Sequence, residues 1–331
     1  MPVTLVTPEA LLNKPAPFVD MLRNAGFDIV YPKDPTFARG LGSEEETMEQ
    51  LSICDAVIAG GEHVTGRVLA SLPKLRVVSR LGVGFDCVDV PAATRHKIAV
   101  CITPNANYGC VAEATLGHML AVAKSMHFFD REIRAGKWTR FLTVPLRGRT
   151  LGIVGLGRVG RALATRCLAM GMKVIAYETY PNRAFLGEHA VELVELDALL
   201  AQSDFVSVHC PANDETKGMF NQDLFAKMKK GAFFINTARG ALVVEEHLAA
   251  ALESGHLGGA GLDVFEHEPT STDNPLFKFD NVSLTPHTGG EDSLSSEMMA
   301  CEAAENIIKL YRGEWPEGTA LNNELRDSWK W

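Results

Sequence analysis

Leu151-Gly152-Ile153-Val154-Gly155-Leu156-Gly157-Arg158-Val159-Gly160 is the stretch that decides the fold. A short apolar strand runs straight into Gly-x-Gly-x-x-Gly, and a helical pattern follows to about Met170. In that setting the first glycine permits a tight turn, the second lets backbone approach a pyrophosphate, and the third lets helix and strand pack closely. The helix opening there supplies uncapped N–H groups and a positive end for an anion. The next strand-like run, Val174-Ile175-Ala176-Tyr177, ends at Glu178, 23 residues beyond Gly155. A carboxylate so placed can accept hydrogen bonds from both hydroxyls of an adenosine ribose and repels a 2′-phosphate, which favours NAD over NADP. Arg183, five residues on, is the side chain that would pair with the phosphate instead.

The pattern around this loop continues in both directions. Apolar runs near 151–155, 173–177, 204–209, 232–236, 259–263 and 281–284 alternate with helix-like segments and stop at Thr285-Pro286. The N-terminal third has the same rhythm, with Leu5-Val6, Phe27 to Val30, Ala56-Val57-Ile58, Leu75 to Val78 and Ile98 to Val100 separated by helix-like stretches such as 15–24 and 65–72. Two doubly wound, parallel-sheet α/β domains are predicted. Between them the pattern breaks at Ile102-Thr103-Pro104-Asn105-Ala106-Asn107, and a long helix with Val111, Ala114, Leu116, Met119, Leu120 and Ala123 on one face begins. That break is read as a crossover between domains. Residues 295–312 read as a final helix, with Met298, Ala303, Ile307 and Leu310 on its inner side.

Bulk composition narrows the function classes. The 331 residues suffice for two ordinary cores, and 46% hydrophobic with 22% charged residues is a globular composition. A net charge of -9 argues against nucleic-acid binding by bulk electrostatics, so a small anionic ligand must be held by a few placed cations. The seven cysteines, at 54, 87, 101, 110, 167, 210 and 301, form no C-x-x-C pair, and reduced thiols without a metal site are expected. The N-terminus has no basic segment leading into a long apolar run, and no segment approaches about 18 unbroken apolar residues. A cytoplasmic enzyme with no membrane partner is the expectation.

Three segments put polar residues at the C-terminal ends of expected strands, where open α/β sheets bind ligands. They are Ile235-Asn236-Thr237-Ala238-Arg239-Gly240, Leu262-Asp263-Val264-Phe265-Glu266-His267-Glu268-Pro269 and Leu284-Thr285-Pro286-His287-Thr288-Gly289-Gly290. Oxidising a 2-hydroxy acid needs a cation for the carboxylate, a base for the hydroxyl proton and a group that sets that base's pKa. Arg239 can grip a carboxylate with two parallel N–H bonds, His287 can cycle near neutral pH, and a carboxylate from Glu268 favours the imidazolium and holds the ring. The remaining lone histidines, His118 among them, are read as structural. Trp138 and Trp315 are read as packing residues, and the Trp329-Trp331 tail has no reading from sequence.

Taken in order, these motifs resemble the D-isomer-specific 2-hydroxyacid dehydrogenases, the family of phosphoglycerate, glycerate/hydroxypyruvate, D-lactate, formate and phosphite dehydrogenases. Matching segments span nearly the whole chain: Ser79 to Asp86, Val111-Ala112-Glu113, the glycine loop, His209-Cys210-Pro211, Asn236 to Gly240, Asp263 to Pro269 and Thr285-Pro286-His287. The resemblance implies that Arg239, Glu268 and His287 form the catalytic triad, with His287 the acid/base. It implies that Asp263 meets the nicotinamide carboxamide, that the Arg158-Val159 backbone and Thr115 meet the pyrophosphate, and that Cys210, Pro211 and Thr216 line the adenine and ribose side. Gly155, Gly157, Gly160, Glu178, Thr237, Ala238 and Gly289 complete the expected cofactor set. Backbone amides of Gly82, Val83 and Gly84 are implied to bind the substrate carboxylate alongside Arg239 and His287.

The resemblance further implies a discontinuous, flavodoxin-like substrate domain, 1–102 plus 288–331, a Rossmann-type NAD domain, 103–287, hinge closure, and a homodimer built largely from residues 105–148. Two departures stand out. Ile58-Ala59-Gly60-Gly61-Glu62-His63 replaces the Arg-Ser pair that phosphoglycerate dehydrogenases often carry, which counts against a phosphorylated substrate. Glu178 replaces the commoner Asp. Competing readings are a dinucleotide-sensing, corepressor-like binding protein, against which stand the short tails, and a phosphite or formate dehydrogenase.

Overall fold

Strands β1 (Val3–Val6), β2 (Asp28–Val30), β3 (Ala56–Ala59), β4 (Val77–Arg80) and β5 (Ala99–Cys101) pair in parallel in the order β2-β1-β3-β4-β5. This is the flavodoxin-like order. The computed structural model describes residues 1–331, and contacts divide the chain into Met1–Asn107 with Glu291–Trp331, and Tyr108–Gly290. In the first unit, helices α1 (Pro17–Asn24), α2 (Glu44–Leu51), α3 (Gly66–Ala70) and α4 (Val90–Arg95) cover the sheet. Strand β3 is buried at all four residues, Ala-Val-Ile-Ala, as a central strand covered on both faces must be.

The chain's C-terminal helix, Ser293–Tyr311, belongs to this first unit. Its small inner residues Ala300, Ala303 and Ala304, with Ile307, pack with Phe18, Val19 and Leu22 of α1 and with the sheet, and the Ser79 hydroxyl bonds the Ala303 carbonyl at 3.1 Å. The tryptophan tail completes the same core edge. Trp331 lies edge-on to Phe27 and Tyr311, with centroids 5.6 and 5.0 Å away, and Trp329 sits between Trp315 and Trp331.

The first unit extends to Asn107, beyond the break expected at 102. Ile102 N–H donates to Thr319, Thr103 N–H donates to Gly82, and Asn105 donates to Glu302, so the Pro-Asn segment is tied back to this unit. The later boundary falls after Gly290, and not after His287, because Asp263 accepts the amides of both Thr288 and Gly289.

The second unit starts with α5 (Tyr108–Ala123) and α6 (Met126–Arg134), then builds a seven-stranded parallel sheet. Its strands are β6 (Thr150–Val154), β7 (Lys173–Tyr177), β8 (Val191–Leu193), β9 (Phe205–Val208), β10 (Phe233–Asn236), β11 (Gly259–Leu262) and β12 (Val282–Leu284), ordered β12-β11-β10-β9-β6-β7-β8. The edge strand β8 was not expected from sequence. It is three residues long with one buried side chain, Val191, and leaves no periodic signal. Helix α7 (Arg158–Ala169) follows β6. Chain order reverses between β6 and β9, so the carboxyl ends of these strands border the crevice where such sheets hold ligands. Pairing of Val154 with Val208, of Val208 with Asn236, and of Asn236 with Leu262 ends four strands at one level. The loops that follow them therefore open side by side. No helix is long and apolar enough to cross a membrane.

Candidate active site

The glycine loop leaves β6 through Gly155, whose φ of +99° lies where only glycine rests without strain. A Cβ there would stand 2.6 Å from the Cys210 amide nitrogen, so the loop lies backbone to backbone on the loop after β9. At Gly160 a Cβ would stand 2.3 Å from the Gly155 carbonyl oxygen, which forces the close packing of α7 on the turn. Gly157 differs: nothing lies within 4 Å of its Cβ position, and as N-cap of α7 it has no side chain to satisfy the first-turn amides of Arg158 and Val159. An open, positive, donor-lined helix start is what a pyrophosphate requires.

Glu178, at the end of β7, is held on both oxygens. Oε2 accepts the Leu156 amide at 2.7 Å and Oε1 accepts the Tyr180 amide at 2.9 Å. An ionised carboxylate has roughly four acceptor positions, so two stay open for hydroxyl groups. Across the turn, Cys210 lies within 4.0 Å of the Met219 sulfur, and burial pushes its thiol up to about 11, so it is a packing group and not a thiolate. Thr216 shapes the loop after Pro211, donating to the Pro211 carbonyl at 2.7 Å and accepting the Asn213 amide at 2.9 Å.

Thr115, expected at the pyrophosphate, has its hydroxyl engaged inside the protein. It is fully buried, and its hydroxyl lies between the Val111 carbonyl, 2.7 Å, and the Thr237 hydroxyl, 2.8 Å. In this structure its hydroxyl is engaged by these two partners and supports Thr237.

The three strand-end loops of the second unit bring the expected triad together. Asn236, buried at the end of β10, staples the Arg239 loop by donating to the Arg239 carbonyl at 2.8 Å and accepting the Ala238 amide at 3.0 Å. Arg239 itself donates to the Ala238 carbonyl at 2.6 Å. Gly240 then meets the next loop so closely that a Cβ would be 1.8 Å from the Phe265 carbonyl oxygen. The motif spacing around Arg239 assigns no role to Asn236 or Gly240. Their signal was their adjacency to Arg239, and their function became visible only with the loops in contact.

His287 Nδ1 sits 2.6 Å from Glu268 Oε2, while Glu268 Oε1 accepts the Phe265 amide at 2.9 Å. His287 has a φ of +55°, an uncommon conformation for a side chain with a Cβ, and its amide is tied to the Asp263 carbonyl at 2.8 Å. The bond to Glu268 is the main cause that raises the His287 pKa, outweighing its desolvation. Burial pushes Glu268 up, but the hydrogen bond and charge of His287 outweigh this and its pKa falls. The Arg239 charge is near enough to lower both.

Asp263 is almost wholly buried and accepts the Thr285 hydroxyl at 2.5 Å, the Thr288 amide at 2.9 Å and the Gly289 amide at 2.8 Å. Three of its roughly four acceptor positions therefore shape the loop that carries His287.

In the first unit, Gly82 departs from expectation. Its amide already donates to the Thr103 hydroxyl at 2.7 Å, inside the protein. Of the expected trio, the amides of Val83 and Gly84 remain for a ligand, and Arg80 braces that loop by donating to the Gly84 carbonyl at 3.0 Å and the Ala59 carbonyl at 3.1 Å.

Comparison with known proteins places the whole arrangement. Residues 116–289 match the family described as D-isomer specific 2-hydroxyacid dehydrogenase, NAD binding domain. The chain is 38% identical over 290 residues to a glyoxylate reductase of Korarchaeum cryptofilum, covering 86% of this chain and 87% of that protein. It is also 38% identical over 283 residues to a D-3-phosphoglycerate dehydrogenase of Archaeoglobus fulgidus, covering 85% of this chain but 54% of that protein. The chain thus spans about half the length of that dehydrogenase. Among solved structures it superposes on the TT0316 protein of Thermus thermophilus with a TM-score of 0.85 at 33% identity, covering 96% of this chain and all of that one. With a D-lactate dehydrogenase of Aquifex aeolicus, complexed with NAD and lactic acid, the TM-score is 0.81 at 27% identity, covering 96% and 98%.

Proposed function

Because this chain belongs to the D-isomer specific 2-hydroxyacid dehydrogenase family, we propose that it moves hydride between NAD and C2 of a small, unphosphorylated 2-oxo or 2-hydroxy acid. The carrying observation is the His287–Glu268 pair at 2.6 Å within reach of the Arg239 charge. The turn at Gly155–Gly160 suits a dinucleotide, with open space at Gly157 and an uncapped helix start for the pyrophosphate. Glu178 keeps acceptor positions for the ribose hydroxyls and repels a 2′-phosphate, which supports NAD over NADP. When bound as NADH, the cofactor supplies the hydride.

Each side chain then has a defined task. Arg239 grips the substrate carboxylate and orients C2. With Nδ1 engaged by Glu268, Nε2 is the His287 nitrogen left to give a proton to the C2 oxygen as hydride reaches C2. The imidazole formed is reprotonated from water, and the reverse reaction takes the hydroxyl proton onto the same atom. Glu268 holds the ring angle and stabilises the imidazolium.

A small, unphosphorylated substrate is supported by the sequence after β3, Gly60-Gly61-Glu62-His63, which lacks the Arg-Ser pair that phosphoglycerate dehydrogenases often carry. The near full-length match to a glyoxylate reductase points the same way. We also infer a homodimer joined through α6 and the segment after it, since α6 buries none of its residues and Trp138 and Leu142 are 81% and 99% exposed.

The test is loss of the NADH absorbance with glyoxylate, hydroxypyruvate, pyruvate and 3-phosphohydroxypyruvate. Turnover with the unphosphorylated acids is expected. A preference for the phosphorylated one overturns the substrate reading, and silence with all four overturns the enzyme reading in favour of dinucleotide sensing.

A further inference from the structure

We propose that Thr115 and His118, on one face of α5, are positioning residues that hold the Arg239 loop and the His287 loop in register with each other. Neither side chain touches the triad, and the proposal rests on the reading of Arg239 and His287 given above. Residues three apart on a helix share a face, and α5 packs across β10, β11 and β12, the strands that end in these loops. The close seat of α5 needs Gly261 on β11, where a Cβ would stand 2.7 Å from His118 Cβ.

Two hydrogen-bond chains leave this face, and their directions follow from proton counting. The Thr115 hydroxyl gives its one proton to the Val111 carbonyl at 2.7 Å, so across the 2.8 Å contact it is Thr237 that donates to Thr115. Thr237 lies two residues before Arg239. In the second chain, Asp263 only accepts, so Thr285 gives it its proton at 2.5 Å. The Thr285 oxygen must then accept from His118 Nε2 at 2.9 Å, which leaves Nδ1 to accept the Ser283 hydroxyl at 3.0 Å. One neutral tautomer satisfies every partner. His118 is buried, and that desolvation lowers its pKa against the opposing charge of Asp263, which favours this neutral form.

The second chain reaches the reacting group through Asp263. Its side chain clamps the Thr288 and Gly289 amides and its carbonyl holds the strained His287 backbone. A loop held at φ of +55° persists only while its surroundings over-determine it. Removing the Nε2–H donor frees the Thr285 hydroxyl to rotate, loosens the Asp263 clamp and lets the imidazole drift from Glu268.

The experiment compares His118→Leu, Thr285→Val, their double variant and His118→Gln in steady-state kinetics, thermal unfolding and imidazole ¹⁵N NMR. Misplacement of the acid/base predicts a fall in kcat of about 10- to 100-fold with NADH affinity little changed. The double variant is expected to lose no more than either single one, because both break the same chain. Gln, which offers a donor and an acceptor, is expected to recover most of the rate. In the wild-type spectrum His118 is expected to show a protonated Nε2 and a bare Nδ1, and the His287 titration midpoint is expected to fall in His118→Leu.

A folded His118→Leu protein with unchanged kinetics and an unmoved His287 midpoint overturns the proposal, as do additive losses in the double variant. Should His118→Leu fail to fold, Thr285→Val carries the same comparison from the other end of the chain. The NMR readout needs no turnover, so a wild-type enzyme inactive on every acid would end the functional reading while the positioning role is still decided.

Discussion

His287 Nδ1 and Glu268 Oε2 stand 2.6 Å apart although the two residues lie 19 positions apart in the chain, with all of β12 between them. The contact works because both ends are anchored: the Phe265 amide fixes the second Glu268 oxygen at 2.9 Å, and the Asp263 carbonyl fixes the His287 amide at 2.8 Å. Its chemical effect is a raised His287 pKa, produced first by that bond and opposed by desolvation and by Arg239.

The pH dependence follows in sign from this shift. Reduction needs the imidazolium, so kcat/KM for the oxo acid is expected to stay level at low pH and fall as pH rises through the raised His287 value. Oxidation needs the neutral ring and rises through the same value. Glu268→Gln removes the charge that favours the imidazolium, so both limbs move to lower pH. Profiles taken between about pH 5 and 9 check this, and limbs that stay put in Glu268→Gln would assign them to another group.

His287→Ala takes away the proton donor without touching the glycine turn. Turnover is expected to drop by roughly 10²- to 10⁴-fold while NADH binding, followed by fluorescence, stays nearly intact. Arg239→Lys keeps the charge but loses the planar fork, so the apparent KM for the oxo acid is expected to rise about tenfold or more. An unchanged KM would mean that a different cation grips the carboxylate.

Gly157→Ala and Gly160→Ala separate binding from folding in the nucleotide turn. The Gly157 position faces open space, so its variant is expected to keep the wild-type unfolding temperature and to lose NADH affinity, the methyl occupying room the pyrophosphate needs. At Gly160 the same methyl meets the Gly155 carbonyl at 2.3 Å, and the overpacking is expected to cost roughly 1–3 kcal/mol of stability. Paired unfolding and fluorescence-titration measurements read both effects, and a Gly157→Ala protein that binds NADH normally would remove the pyrophosphate from this turn.

What the residues reveal unaided depends on how local the physical demand is. The turn at 155–160 and the Arg239, Glu268 and His287 motifs are legible because backbone clearance and acid–base chemistry select residue types within a few positions. The parallel sheets are legible because buried strands such as β3 leave apolar runs. Strand β8 is hidden because an edge strand with one buried residue carries no period. Three features depend on tertiary register alone: the Gly82 amide donating to Thr103, Thr115 turning inward to Thr237, and His118 joining Ser283 to Thr285. No spacing announces them, because their partners lie between 21 and 167 residues away along the chain.

The exposed arm after α5 yields the last prediction. Helix α6 turns Met126 and Ile133 outward, 59% and 53% exposed, and the following segment adds Trp138 at 81% and Leu142 at 99%. The rings of Phe128, Phe129 and Phe141 meet edge-on or tilted, with centroids 4.6 to 5.8 Å apart, and Arg131 lies over Phe128, contacts that stay within the arm. Isolated apolar side chains on a surface need no partner, whereas a run of them on one short arm marks a candidate interaction surface. In the homodimer proposed above, a second copy of the chain presenting the same arm in a two-fold arrangement would cover both patches at once, as an isologous interface requires. Light scattering is therefore expected to give twice the 36.0 kDa chain mass. Leu142→Asp together with Ile133→Asp places charges where two arms would meet and is expected to shift the mass toward one chain. A wild-type mass of a single chain at micromolar concentration would show that this arm serves some other surface.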